Sequence, residues 1–211
     1  SSSLGQHAGD SSMQQFQALA QLPWKTLMKV EGTNDWQAHW SLDGEFARIT
    51  HSAHGMDFWA GAERRNDAHH AVLWTQDSFE GNIRMEYTYT KLDDRKEAVT
   101  ILYLLATGSG DEGYPEDISL WAHKRKAPKM STYFLNMHTL HISYAAYPLE
   151  KEGEVHSEEE YIRARRYRPD STLRLKGTNL PPDHVNTGLF ETGVPHHITV
   201  IKHKEDLFFF I

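Results

Sequence analysis

The chain has 211 residues, enough for one large domain that buries about 70 % of its unfolded surface without a disulfide or metal staple. It contains no cysteine, which excludes a disulfide framework and thiolate chemistry, and its net charge of −7 excludes the basic balance of a general nucleic-acid binder. No apolar run approaches the roughly 20 residues of a membrane-spanning helix.

Residues 1–22 are rich in Ser, Gln, Gly and Ala and read as a mobile N-terminal segment, with a short helix from Met13 to Leu22. The opening Ser-Ser-Ser, in place of Met, points to a removed signal peptide, tag or trimmed end. It favours a secreted or periplasmic protein, with the cytoplasm as the alternative. From Trp24 onward, short alternating or β-branched and aromatic segments predict strands at 24–31, 36–41, 45–51, 56–61, 69–75, 82–91, 98–106, 117–123, 138–147, 161–167, 196–203 and 207–211. Turn signals separate them, among them Asp43-Gly44, Gly81-Asn82, Gly108 to Gly113 and Pro181-Pro182. Many short strands at this spacing, without a long amphipathic helix, predict an antiparallel sandwich or barrel, here a single domain over residues 23–211. The run Val99 to Leu105 is apolar on both faces and is expected at the centre of a sheet. The chain ends on Leu207-Phe208-Phe209-Phe210-Ile211, a hydrophobic strand without a polar tail, which suggests a domain truncated at its C-terminus.

The segment from Tyr161 to Tyr167 carries the strongest chemical signal. On a strand, Tyr161, Arg163, Arg165 and Tyr167 share one face, with neighbours roughly 6.6 Å apart, a distance comparable with the repeat of a sugar chain. Arginine forks carboxylates bidentately, and tyrosine offers a flat apolar face with a polar tip, so this face suits an anionic, ring-shaped ligand. The structural alternative is an exposed edge strand whose arginines pair with Glu158-Glu159-Glu160 just before it. The opposite face carries Ile162, Ala164 and Arg166.

The segment Asn136 to Tyr147 precedes it and predicts an antiparallel hairpin across the 148–160 loop. His141, Ser143 and Tyr147 have one parity, and Asn136, His138 and Tyr144 the other; spacing alone leaves open which set faces the arginines. Asn, His, Tyr and Arg together are what β-elimination on a uronic acid needs. The carboxylate is neutralised so that the α proton becomes acidic, a Tyr or His takes that proton, and one is returned to the leaving oxygen. Tyr144, Tyr147 and His141 are the candidates for proton transfer, Arg163 and Arg165 for charge neutralisation, and Asn136, His138 and Arg166 for further contacts. Trp74, Trp121 and Tyr161 are candidate stacking platforms, with His70 on the face of Val72 and Trp74. Core packing is the competing role for each aromatic. No His-Glu-x-x-His spacing signals zinc, and no cofactor is required; loop carboxylates at Asp111, Glu112, Glu116 and Asp117 offer at most a structural calcium site. Alternating acids of the type that glycosidases of sandwich fold display on one strand are missing, and Glu86 stands alone between Arg84 and Thr88.

The blocks His54-Gly-Met-Asp-Phe-Trp59, His69-His-Ala-Val-Leu-Trp74, Phe79 to Tyr89, Asn136-Met-His138 with His141-Ile-Ser-Tyr144, Tyr161-Ile-Arg-Ala-Arg-Arg166 and His196-His-Ile-Thr-Val200 resemble the YesU-like bacterial proteins, a domain-of-unknown-function family. The resemblance covers roughly residues 24–211. It implies a concanavalin A-like, galectin-like jelly-roll β-sandwich of two antiparallel sheets, a concave saccharide-binding face and a link to breakdown of acidic plant or algal polysaccharides. Such jelly rolls continue into a final strand that this chain lacks. The expectation is therefore a polysaccharide lyase acting on a uronate-containing polymer. A non-catalytic lectin or carbohydrate-binding module and a glycoside hydrolase are the alternatives. No feature of the sequence points to an oligomeric state.

Overall fold

The computed structural model describes residues 2–33, 35–148 and 159–211, with side chains from residue 11 onward. The fold is mostly β, every strand pair is antiparallel, and the arrangement is compatible with a β-sandwich. The chain groups into two compact units.

The first unit comprises the residues up to Lys29, Phe79–Asp94 and Phe190–Ile211. Helix α1 (Ser2–Ala20) begins earlier than the sequence suggests. The segment 24–31, expected as a strand, runs without regular structure. Strands β5 (Ile83–Thr90), β10 (Pro195–His203) and β11 (Asp206–Phe210) form a sheet with β10 in the middle. Its central position fits the burial of Ile198, Val200 and Ile201. Alternation puts Phe208 and Phe210 on one face of β11, where Phe16 of α1 stacks on Phe210 at 4.7 Å and tilts against Phe208 at 6.2 Å. The hydrophobic final strand is thus paired on one side, with β10, and partly covered by an aromatic side chain, while Phe210 stays 39 % exposed.

The second unit comprises residues 30–78 and 95–189. It holds two hairpin-sized pairs, β1 (Trp40–Asp43) with β4 (Val72–Thr75) and β2 (Arg48–Ser52) with β3 (Gly55–Trp59). Its main sheet has the order β6 (Thr100–Gly108), β7 (Met137–Ala146), β8 (Tyr161–Tyr167), β9 (Asn179–Val185). β6, expected at the centre because both its faces are apolar, is instead an outer strand of this sheet among the described residues. One expectation fails in the connection between β6 and β7. Residues 117–123 are not a strand: Asp117 caps a 3-10 segment, Ile118–Arg125, by accepting from Ser119 N at 3.0 Å. The short helix α2 (Met130–Asn136) then leads directly into β7. β9 was hidden by its prolines, which read as a turn; an outer strand tolerates them because half of its N–H groups need no partner.

A buried aromatic cluster lies in this unit: Trp121, Tyr133, Phe134, Met137 and Tyr167, with Trp74 and Tyr103 packed against it. Inside it, Asp43 Oδ2 accepts from Trp74 Nε1 at 2.8 Å, Arg125 Nε at 2.7 Å and Tyr133 Oη at 2.8 Å. Asp43 is 3 % exposed and Arg125 2 %, so the two charges are removed from water together and satisfied by one another and by neutral donors.

Candidate functional site

Register across the main sheet decides which side chains meet. Residues opposite one another in antiparallel strands share a face. Tyr103 of β6 is opposite His141 of β7, and His141 is opposite Arg165 of β8, so the three form one row across the sheet. The row on one side pairs Ile101, Ser143 and Arg163; that on the other pairs Thr139 with Tyr167. The parity left open by the sequence is therefore that of His141 and Ser143. Tyr144 has the other parity, opposite Thr100, and is buried at 4 %. Tyr147 shares His141's parity in the sequence, but a bulge intervenes. Ala145 adopts φ 44, and the register shifts so that Ala146, not Tyr147, stands opposite Tyr161. Tyr147 itself is 6 % exposed, and its backbone N–H donates to Ala98 O.

His141 Nδ1 lies 2.7 Å from Tyr167 Oη, and Tyr167 Oη lies 3.4 Å from Tyr103 Oη. The ring of Tyr103 stacks on Trp74 at 5.6 Å and on Tyr133 at 5.7 Å, and both of those side chains donate to Asp43. The buried ion pair thus fixes two rings, the rings fix Tyr103, and the phenols of Tyr103 and Tyr167 orient the imidazole. The other imidazole nitrogen, Nε2, is buried and has no hydrogen-bond partner among the described residues. Burial, then the charges of Arg165 and Arg163, hold the His141 pKa down to about 3, so the imidazole is neutral at ordinary pH. Burial pushes the Tyr167 phenol up to about 12 and raises Tyr103 and Tyr133 as well, so all three keep their protons.

The two arginines of the face differ in their partners. Nε and Nη2 of Arg163 donate to Asp183 Oδ2 at 3.0 Å and 2.8 Å, and its guanidinium lies over the Tyr161 ring at 4.6 Å. Asp183 reaches it because β9 carries extra residues there: Ala164 is opposite Leu180, yet Ile162 is opposite His184. The Arg163 hydrogen bond holds the Asp183 carboxyl below the usual carboxylate range. Arg165 donates from Nη1 to the Thr178 hydroxyl at 3.0 Å, and no carboxylate lies within ion-pair distance of it among the described residues. Burial and then repulsion by Arg163 lower its pKa, the signature of a cation short of counter-charge. Part of the acidic run weighed as its partner, Glu158, lies outside the described residues. Glu160 accepts from the N–H and hydroxyl of Thr187.

The remaining candidates lie elsewhere. Trp121 is 1 % exposed, with Nε1 donating to Pro115 O and Arg125 over its ring, so it has no face to offer a sugar. Trp74 is occupied by Asp43 and Tyr103 as described. Asn136 donates to Thr132 O at the end of α2, His138 is exposed on the parity opposite to His141, and Arg166 is exposed opposite Leu140. His70 precedes β4 and lies near Pro128 O at 3.3 Å. Asp117 is engaged as a cap and Asp111 bonds Ser109; among the described residues no three His, Asp or Glu side chains converge on a metal position. Glu86 belongs to the first unit, where it pairs with Arg84.

Sequence reasoning placed Tyr167 on the arginine face without a role of its own, and missed Tyr103 and Asp183. The shared parity of Tyr167 with the arginines was a readable signal. The contribution of Asp183 was not, because it depends on extra residues in a strand that reads as a turn. Comparison with known proteins yields no matching family model, no matching curated protein and no matching solved structure.

Proposed function

We propose that the face of β6–β9 bearing His141, Arg163, Arg165 and Tyr161 binds a uronate-containing polysaccharide and cleaves it by β-elimination, on a jelly-roll sandwich of the concanavalin A-like, YesU-like kind. The observation that carries this reading is the row Tyr103–His141–Arg165. It sets a guanidinium with no ion-pair partner among the described residues beside a neutral imidazole whose Nε2 is buried and unpartnered there. A substrate carboxylate on Arg165 is neutralised by charge-assisted hydrogen bonds, which makes the proton on the adjacent carbon more acidic. His141 Nε2, which the unliganded fold buries, accepts that proton, a step that requires the ligand to displace the side chains covering it. The electron pair of the broken C–H bond forms the carbon–carbon double bond as the bond to the glycosidic oxygen breaks, and the Tyr161 phenol returns a proton to that oxygen. Burial raises the Tyr161 pKa, which keeps the phenol protonated until it is needed. Carboxylate binding also offsets the two arginine charges that depress the imidazole, so the substrate itself makes its base stronger.

One observation favours a second reading, a binding module without catalysis: before ligand arrives, His141 with a pKa near 3 is a weak base. The test is to incubate the protein with de-esterified uronic polysaccharides and follow the ultraviolet absorbance of the unsaturated product. The expected result is an absorbance rise with at least one polymer, reduced by about 10²-fold or more in His141→Ala. Glycan binding without any rise supports the binding module, and new reducing ends without the chromophore support hydrolysis.

A further inference from the structure

Resting on that reading, we infer that the ligand is an acidic polymer in which a uronate is flanked by an uncharged sugar, and that Asp183 selects against contiguous uronates. Arg163 and Arg165 are two residues apart on β8 and face the same way, so they lie beneath neighbouring sugar units. Sequence alone does not distinguish them, both being candidates for charge neutralisation. The structure makes them unequal. Both donating nitrogens of Arg163 converge on Asp183 Oδ2, so the pair is neutral as a unit. It offers a remaining carboxylate oxygen as acceptor and remaining guanidinium N–H groups as donors, the complement of sugar hydroxyls rather than of a second carboxylate. Among the described residues Arg165 donates to the Thr178 hydroxyl alone, and Thr178 is itself 3 % exposed and fixed to Leu175 O at 2.6 Å. One face therefore holds one charged subsite next to one neutral polar subsite. A contiguous polyuronate would bring its second carboxylate against Asp183, and like charges so placed are unfavourable.

The experiment is calorimetric binding of the full chain to length-matched, unsulfated and de-esterified polymers of two kinds. Polygalacturonate and polymannuronate are contiguous; hyaluronan, unsulfated chondroitin and a galacturonate–rhamnose chain alternate. Wild type is expected to bind at least one alternating polymer about tenfold or more tightly than either contiguous one. Asp183→Asn, at a partly exposed position on an outer strand, is expected to narrow that ratio by strengthening the binding of contiguous polymers. Equal or tighter binding of polygalacturonate or polymannuronate by wild type overturns the selectivity while leaving the acidic-glycan reading intact, as does an unchanged ratio in Asp183→Asn. Binding to none of the five overturns both.

Discussion

Among the described residues, His141 Nε2 is the buried polar atom of the β6–β9 face without a partner, and Arg165 is its partly buried guanidinium without a carboxylate. Leaving a buried polar atom unpaired costs about 1–3 kcal/mol, so such atoms concentrate where a ligand completes the set. The other imidazole nitrogen is held by Tyr167, which acts as a positioning residue. Tyr167→Phe removes that hydroxyl and leaves Nδ1 unpaired as well, so we expect a loss of about 1–3 kcal/mol in chemical denaturation. Nitrogen NMR of the imidazole separates this from simple loosening of the core. Reorientation of the ring shifts both His141 resonances, whereas unchanged resonances in the folded variant would remove Tyr167 from the site.

At the scale of elements, the site depends on a chain of supports that starts far from it in sequence. Asp43 ends β1, and its one oxygen collects donors from β4, the 3-10 segment and α2. The rings it holds clamp Tyr103. Asp43→Ala would leave the Arg125 charge buried without its partner, and we expect about 3–5 kcal/mol of destabilisation measured by urea unfolding. Replacing both Asp43 and Arg125 by apolar residues should cost less than Asp43→Ala alone, because no charge is then stranded. None of this was readable from Asp43-Gly44, which has the form of an ordinary turn. Local pattern did locate β5, β7, β8 and β10 almost to the residue, since alternation and β-branched content need only neighbours in sequence. It failed at β9, where prolines mimic a turn, and at 117–123, where a cap overrode an apolar pattern. The parity of His141 against Arg165 was beyond it, because one bulge at Ala145 reverses the outcome for Tyr147.

For the whole molecule, the acidic background and the local cationic row act in opposite directions on an acidic glycan. The proposed binding would therefore depend on contact with Arg165 rather than on long-range attraction. The buried neutral histidine also sets a pH limit on the fold. Its folded pKa of about 3 lies below its ordinary value of 6.5, so protonation favours the unfolded chain. The contribution is complete above about 6.5 and is lost as the pH falls towards about 3, at about 1.4 kcal/mol per pH unit. Urea unfolding between those limits should show that slope in wild type and a shallower one in His141→Gln; parallel slopes would mean that the imidazole is already charged in the fold.

The central claim is that Arg165 receives a substrate carboxylate beside His141. Calorimetric titration with an acidic oligosaccharide and with the same oligosaccharide after reduction of its carboxyl groups to alcohols tests it most directly. Wild type should bind the native form, lose about tenfold to hundredfold in affinity for the reduced form, and lose a similar factor for the native form in Arg165→Ala. Equal affinity for native and reduced forms, or undiminished binding in Arg165→Ala, would contradict it.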